Sequence, residues 1–256
     1  MASHVVAFTG KSSILRSDFF PEIVFDPDEN YECGLLDFTT YNSIPNIIRG
    51  QNSHFGFKYK IEEKKKVNGK ETINVVTKAE SIAFDTGSYE VEDILKNLKF
   101  LLGGHRISFT FDVCAGSSKV RIAFGSDIEW IGGTLLNVIG FKKELPFKFT
   151  KGLLYTSDTI VRITDIDLIR VECDIVTNSY INGQNCRSLY AFSHCKVKPG
   201  FKFIEVPQHV IYLPITEKRL RSIQISIVDQ DGRLIDFRGE QISCRIHIRK
   251  ADRLNN

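Results

Sequence analysis

The sequence predicts an all-β fold, a sandwich of two antiparallel sheets, and three observations carry that expectation. From residue 168 onward the chain is a relay of short period-two segments. In its last part Ile223, Ile225 and Ile227 alternate with Ser222, Gln224 and Ser226, and Ile242, Cys244, Ile246 and Ile248 alternate with Ser243, Arg245, His247 and Arg249. Alternation at that period marks strands with one buried and one polar face. Composition agrees, because 19 Phe against one Met and one Trp suits pleated sheets better than helix bundles. Punctuation is the third observation: Asp-Gln-Asp-Gly at 229–232 and Arg238-Gly239 are turn signals between the last two alternating runs, which read as an antiparallel closing pair.

At 256 residues, with 42% hydrophobic and 25% charged residues, the chain has the size and composition of one large β domain. No internal repeat, low-complexity tract or Pro/Gly/Ser-rich linker divides it. The reading is an N-terminal arm at 1–18, flexible or docked on a partner, a single domain at 19–250, and a short tail at 251–256.

Taken in order, Val5-Val6-Ala7-Phe8 is a short apolar run inside the arm. Residues 19–27, FFPEIVFDP, read as an edge strand cut by Pro21 and Pro27. In the next run Tyr31, Cys33 and Leu35 give way to Leu36, Phe38 and Thr40, a one-residue phase shift that predicts a bulge or burial on both faces. A hairpin follows: Phe55, Phe57, Tyr59 and Ile61 alternate with polar residues, Asn68-Gly69 supplies the turn, and Ile73 and Val75 resume the pattern. Its tip carries Lys64, Lys65, Lys66 and Lys70, a solvated loop by charge and a candidate exposed contact.

The period then changes. Val91, Ile94, Leu95, Leu98 and Leu102 share one helical face, Ser88 is placed to cap, Glu90, Glu92 and Asp93 suit the N-terminal end, and Gly103-Gly104 stop the run. One amphipathic helix at about 88–102 is expected, lying on the sandwich. Strands return as a hairpin at Ile107–Val113 and Val120–Phe124, and Leu135, Leu136, Val138, Ile139 and Phe141 form a compact apolar cluster of one or two helical turns.

A net charge of +3 is too mild for a nucleic-acid footprint spread over the chain. The exception is the C-terminal end, where Arg245, Arg249 and Lys250 make a candidate patch for an anion or an acidic neighbour. Six cysteines, at 33, 114, 173, 186, 195 and 244, lack disulfide-scaffold or zinc-module spacing, and Cys173 and Cys244 lie on the apolar phase of their strands. With no apolar leader, no run of about twenty apolar residues and no glycosylation sequon, the expected compartment is the cytosol or nucleus, without contact with a membrane.

Chemical motifs fail on inspection. Gly10-Lys11-Ser12 imitates the end of a phosphate-binding loop, but Val5 stands where the first glycine is needed. The run Asp229–Glu240 has acidic residues at the first, third and twelfth positions of a calcium loop, yet Leu234 occupies the obligatory glycine position, so it reads as an acidic turn with at most weak cation binding at Asp229 and Asp231. Cys186, His194 and Cys195 match no zinc spacing, and neither a nucleophile elbow nor a His-Glu-x-x-His helix occurs. The expectation is a protein without catalytic residues, cofactor or metal.

Six segments occur in an order that resembles a known family: YECGLLDFTTYNSIPNI at 31–47, GSYEVEDILKNL at 87–98, LLNVIGF at 135–141, IRVECDIVTNSYINGQ at 169–184, KPGFKFIEVPQHVIYLPI at 198–215 and ISIVDQDGRLIDFRGEQISCRIHIRK at 225–250. The similarity is to the minor capsid, or penton, proteins of Polinton/Maverick elements and adintoviruses, with Tyr31 where that family has Trp. The resemblance implies a single jelly-roll β-sandwich and a structural role: homopentamers at the fivefold vertices of an icosahedral virion capsid, set among trimers of a double-jelly-roll major capsid protein. Assembly in host cytoplasm or nucleus would follow, with the basic C-terminal residues facing packaged DNA or neighbouring subunits. The alternative class is a jelly-roll module that binds a ligand or receptor in the manner of a lectin.

Overall fold

The computed structural model describes residues 3–67, 70–193 and 197–251, with the backbone alone at 64–67 and 70–72. The chain forms two compact units, Met1–Ile44 with Ile166–Asn256, and Pro45–Asp165. The strands of the first unit are β1 (Ser3–Gly10), β2 (Ile14–Val24) and β3 (Tyr31–Tyr41) before the second unit, and β11 to β18 after it. Those of the second are β4 (His54–Val67), β5 (Lys70–Ala83), β6 (Phe109–Cys114), β7 (Lys119–Phe124), β8 (Ile128–Gly132), β9 (Phe147–Phe149) and β10 (Tyr155–Thr156), with helices α1 (Val91–Gly104) and α2 (Leu135–Val138).

After residue 166 come β11 (Ile169–Cys173), the small hairpin β12 (Ser179–Ile181) and β13 (Gln184–Cys186), β14 (Ser188–Phe192), β15 (Lys202–Glu205), β16 (Leu213–Ile215), β17 (Arg219–Val228) and β18 (Ile242–Lys250). One sheet runs β1-β18-β3-β15 with β16 also on β3, the other β14-β11-β17-β2. All these pairings are antiparallel. They nest: β1 takes the last strand, β2 takes β17, β3 takes β15, and β11 takes β14. This is one long hairpin rolled on itself so that β18 also meets β3 and β17 also meets β11, the jelly-roll order.

Period-two patterning explains why the roll closes. Ile223, Ile225 and Ile227 from one sheet and Ile242, Cys244, Ile246 and Ile248 from the other have no exposed surface and share one core with Phe38, Val171 and Leu220. Each such side chain contributes roughly 1.5–3 kcal/mol by leaving water. The two closing strands are nevertheless not partners. Their connection carries the chain from one sheet to the facing one, because each hydrophobic face needs the other sheet more than a neighbour in its own.

The phase shift in β3 is a bulge: Arg245 faces Asp37 and Ile246 faces Leu35, which leaves Leu36 as the extra residue. From Ser3 onward most of the segment expected as an arm lies in strands β1 and β2. Residues of β1 pair along β18 from Ser3↔Arg249 to Gly10↔Ile242, and β2 starts at Ile14. Only Val6 and Phe8 of β1 are buried, so its place comes chiefly from the backbone ladder.

The second unit has helices and sheets of its own. Residues 45–165 bury a core of their own, with Phe55, Phe57, Phe109, Phe124, Phe149 and Trp130 packed at ring distances of 4.9–6.4 Å. Its sheets run β5-β4-β8-β9 and β10-β7-β6. Helix α1 buries Ile94, Leu95, Leu98 and Leu102 as the periodicity requires, but it begins at Val91 behind Glu90 as the capping residue. The Glu90 N–H donates to the Asp93 carboxylate at 3.3 Å, which displaces Ser88 from the capping role.

Candidate functional site

The basic residues singled out near the C-terminus all lie on β18, whose outward phase faces that of β3. There each cation meets an acid supplied by another part of the same chain. Arg245 Nε donates to Asp37 Oδ2 at 2.7 Å and its Nη2 reaches the same oxygen. Arg249 Nε donates to Glu32 Oε1 at 2.7 Å, and Lys250 Nζ lies 2.6 Å from Glu29 Oε1. The pairing holds the Arg245 guanidinium above its ordinary pKa through the Asp37 hydrogen bond and charge. The patch is therefore a neutralised ladder of ion pairs between the strands and their flanks.

A strap covers part of this face. Gly34 on β3 lies so close to it that an added Cβ would stand 2.5 Å from Val210 Cγ1 and 2.9 Å from the Ile211 carbonyl. Tyr212 then places its hydroxyl 2.7 Å from His247 Nδ1, while Ser3 Oγ stands 2.6 Å from the other ring nitrogen. Arg249 stacks over the Tyr212 ring at 3.7 Å. The strap, residues 206–212, itself carries exposed Val206 and Ile211.

The loops at one end of the roll are tied to each other. Ser13 Oγ donates to the Ile235 carbonyl, Ser43 Oγ to Phe237 O at 2.6 Å, and Asn42 Nδ2 to Val197 O at 2.5 Å. In the acidic turn Asp229 is buried, and its Oδ1 accepts the N–H groups of Asp231 and Arg233 at 2.9 Å each. Its other oxygen takes Arg233 Nε at 2.7 Å, and its carbonyl takes Arg170 Nε at 2.9 Å. Burial would raise the Asp229 carboxyl, but these hydrogen bonds and the Arg233 charge outweigh it and hold the pKa below the usual carboxylate value. Arg233 also pairs with Asp231 at 2.7 Å. The Asp229 and Asp231 carboxylates of the apparent calcium loop are thus committed to the turn's own donors.

On β2 the register slips opposite Arg221: Ile23 faces Leu220 and Asp18 faces Ser222, so 19–22 bow outward from the edge. Glu22 folds back onto Arg219 at 2.9 Å and Arg221 at 3.3 Å, whereas Phe20 stands fully exposed. No sequence pattern marked this aromatic knob. The only available signal was Pro21 in a strand-like run, which marks an edge.

Lys64, Lys65 and Lys66 lie in β4 and Lys70 in β5, so the charged run continues the ladder where a loop was expected, with Val67 opposite Lys70. The turn at 68–69 falls outside the described residues, as do His194 and Cys195. Cys186 sits in the small hairpin beside Ser179, 3.1 Å away. Among the described residues no cluster of three or more His, Cys, Asp or Glu side chains is arranged to hold a metal ion, and no helix is long and apolar enough to cross a membrane.

Cys33, Cys173 and Cys244 are buried in the roll's core as free thiols. A hydrogen bond to Cys173, with burial, pushes the Cys33 thiol far up, and burial with the nearby Cys173 and Asp37 pushes Cys244 up to about 12. Cys114, at the β6–β7 turn, shifts the other way because the Ser117 hydroxyl and N–H favour its thiolate.

No protein-family model matches the sequence, and no curated protein is similar to it. Among solved structures the crystal structure of the selenomethionine-labelled mavirus penton protein is similar, with a TM-score of 0.52 and 14% identity, over 98% of this chain and 100% of that one. At that identity the likeness speaks for the fold, and it runs the full length of both chains.

Proposed function

We propose that this chain is a penton-type minor capsid subunit, a non-catalytic building block that associates with itself as a homopentamer and closes the fivefold vertices of an icosahedral virion. The observation that carries the reading is the rolled, nested strand order of residues 3–44 and 166–250 within a chain similar over its whole length to a penton protein. A sandwich of this kind presents rigid flanks for cyclic packing, and loops and edge strands supply the contacts. The bowed segment of β2 with Phe20 is the most exposed aromatic contact available for a neighbour.

The partners that go with this role are other copies of the chain and a double-jelly-roll major capsid protein, assembled in host cytoplasm or nucleus. Packaged DNA has a weaker claim, because Arg245, Arg249 and Lys250 are already matched by Asp37, Glu32 and Glu29. We assign those three residues to holding the outer face for neighbour contact. The lysines of the β4–β5 ribbon are assigned to an outward contact of the same kind.

The deciding experiment is mass and symmetry of the purified protein, alone and co-expressed with the candidate major capsid protein. Rings of five copies, and density for this chain at particle vertices by electron cryomicroscopy, are expected. A strictly monomeric protein that is missing from the vertices overturns the proposal.

A further inference from the structure

The β4–β5 ribbon is built in a way that the capsid role does not explain. The two strands pair without a break from His54↔Ala83 to Val67↔Lys70, but β8 backs β4 only from Gly56 to Tyr59. Beyond that point the ribbon is two-stranded, an arrangement of marginal stability in water. Strand β5 is also the end of its sheet, so one row of its N–H and C=O groups has no strand partner among the described residues. Edges are normally blunted by shortness, charged side chains, bulges or Pro, and of these β5 carries only charges, of both signs, at Lys70, Glu71, Lys78 and Glu80. The β5 sequence KETINVVTKAESIA has no Pro and no Gly, is 14 residues long and holds one register throughout. Its outward phase runs Ile73, Val75, Thr77, Ala79 and Ser81, all exposed, with Ile73 at 57% and Val75 at 61%.

We propose that β5 pairs with β5 of a second copy of this chain, antiparallel about a two-fold axis at Val75, joining two four-stranded sheets edge to edge. The register follows from backbone geometry and charge. In an antiparallel ladder, directly opposed residues both turn their N–H and C=O toward the partner or both turn them away. Those orientations alternate along β5, so opposed residues share parity and the axis falls on a residue.

With the axis at Val75, Lys70 stands opposite Glu80 at both ends, Ile73 opposite Thr77, and Val75 opposite its own copy. Moving the axis to Asn74 sets Lys70 against Lys78, a like-charge pair, and moving it to Val76 forms no opposite-charge pair at all. An axis at Ala79 also sets Lys78 against Glu80, but it pairs only residues 75–83, whereas the axis at Val75 pairs 70–80, so charge and paired length together select the Val75 register. The charges also make a second copy the fitting occupant.

This contact goes beyond the capsid reading. A fivefold ring contains no two-fold axis, so β5 pairing links copies of different rings, or forms before the ring does.

The test uses the full chain with Cys114→Ser, Cys186→Ser and Cys195→Ser, which leaves only the three thiols buried in the roll's core. Val75→Cys in a glutathione redox buffer is expected to give a covalent dimer, two thiols being oxidised as glutathione disulfide is reduced. Thr77→Cys alone is expected to stay uncrosslinked, because its partner position is 73, whereas Ile73→Cys with Thr77→Cys restores the crosslink. Equal crosslinking at 75 and 77, or none at 75, overturns the proposal.

A second measurement does not depend on thiols. Val75→Lys places two cations at the axis and is expected to weaken dimerisation at least tenfold by sedimentation, with circular dichroism and the unfolding midpoint unchanged. A Val75→Lys protein that dimerises like its parent also overturns it. Fivefold rings without the Val75 crosslink would reject this contact and leave the capsid reading standing. A crosslinked dimer that never forms rings would do the reverse.

Discussion

Asp229 shows how a single residue fixes a turn. Its buried carboxylate gathers two N–H groups and a guanidinium, so Asp229→Ala removes the shared acceptor of three hydrogen bonds at once. A loss of about 1–3 kcal/mol is expected in denaturant unfolding at pH 7. Because the folded pKa is depressed, that stabilisation is present above the unfolded carboxylate value and fades as pH falls through the lower folded one. The gap between parent and variant should therefore narrow below about pH 4; a gap that is constant from pH 7 to pH 3 would contradict this account.

The thiols give a second expectation at the same scale. Iodoacetamide should modify Cys114 in the native protein, with a rate midpoint below that of an ordinary thiol, and spare Cys33, Cys173 and Cys244 until unfolding. Cys33 and Cys244, raised in the folded state, stay neutral where the unfolded chain ionises, so stability should decline as pH rises above about 9. Mass spectrometry of labelled peptides and unfolding at alkaline pH check the two halves.

Among the elements, the strap at 206–212 depends on the missing side chain of Gly34. Gly34→Val would drive carbon into Val210 and the Ile211 carbonyl, at a cost of about 1–3 kcal/mol. The expected result is a strap lifted from the sheet, read as new protease cleavage within 206–212 and a disturbed His247 ring signal by NMR. An unchanged cleavage pattern would mean that the strap is held elsewhere.

Legibility from sequence follows the same division. Periodicity marked the buried face of β17 and β18 and of α1, because burial repeats every second residue in a strand and every three to four in a helix. It said nothing of partners: Arg245 and Asp37 are 208 residues apart, and only the register of β18 on β3 brings them together. The N-terminal strand escaped notice because its support is a backbone ladder, which any sequence can make. Phe20 escaped because a bow in an edge strand leaves no repeat to detect.

For the whole molecule, the division at 44/45 and 165/166 is the consequential feature, and neither composition nor a linker announced it. Residues 45–165 close their own core and satisfy their own sheets. Expressed alone, this segment is expected to fold, with dispersed amide signals and a cooperative thermal transition. A collapsed chain without a transition would show that it needs the remainder of the protein.

The nested pairing of the roll also sets an order of events during synthesis. Strands β1, β2 and β3 emerge first, but their partners β18, β17, β15 and β16 all lie beyond residue 200. The intervening segment has every partner it needs as soon as residue 165 leaves the ribosome. The middle of the polypeptide can therefore finish while its beginning waits, open-edged, for the last nine-residue strand to be translated and slide between β1 and β3.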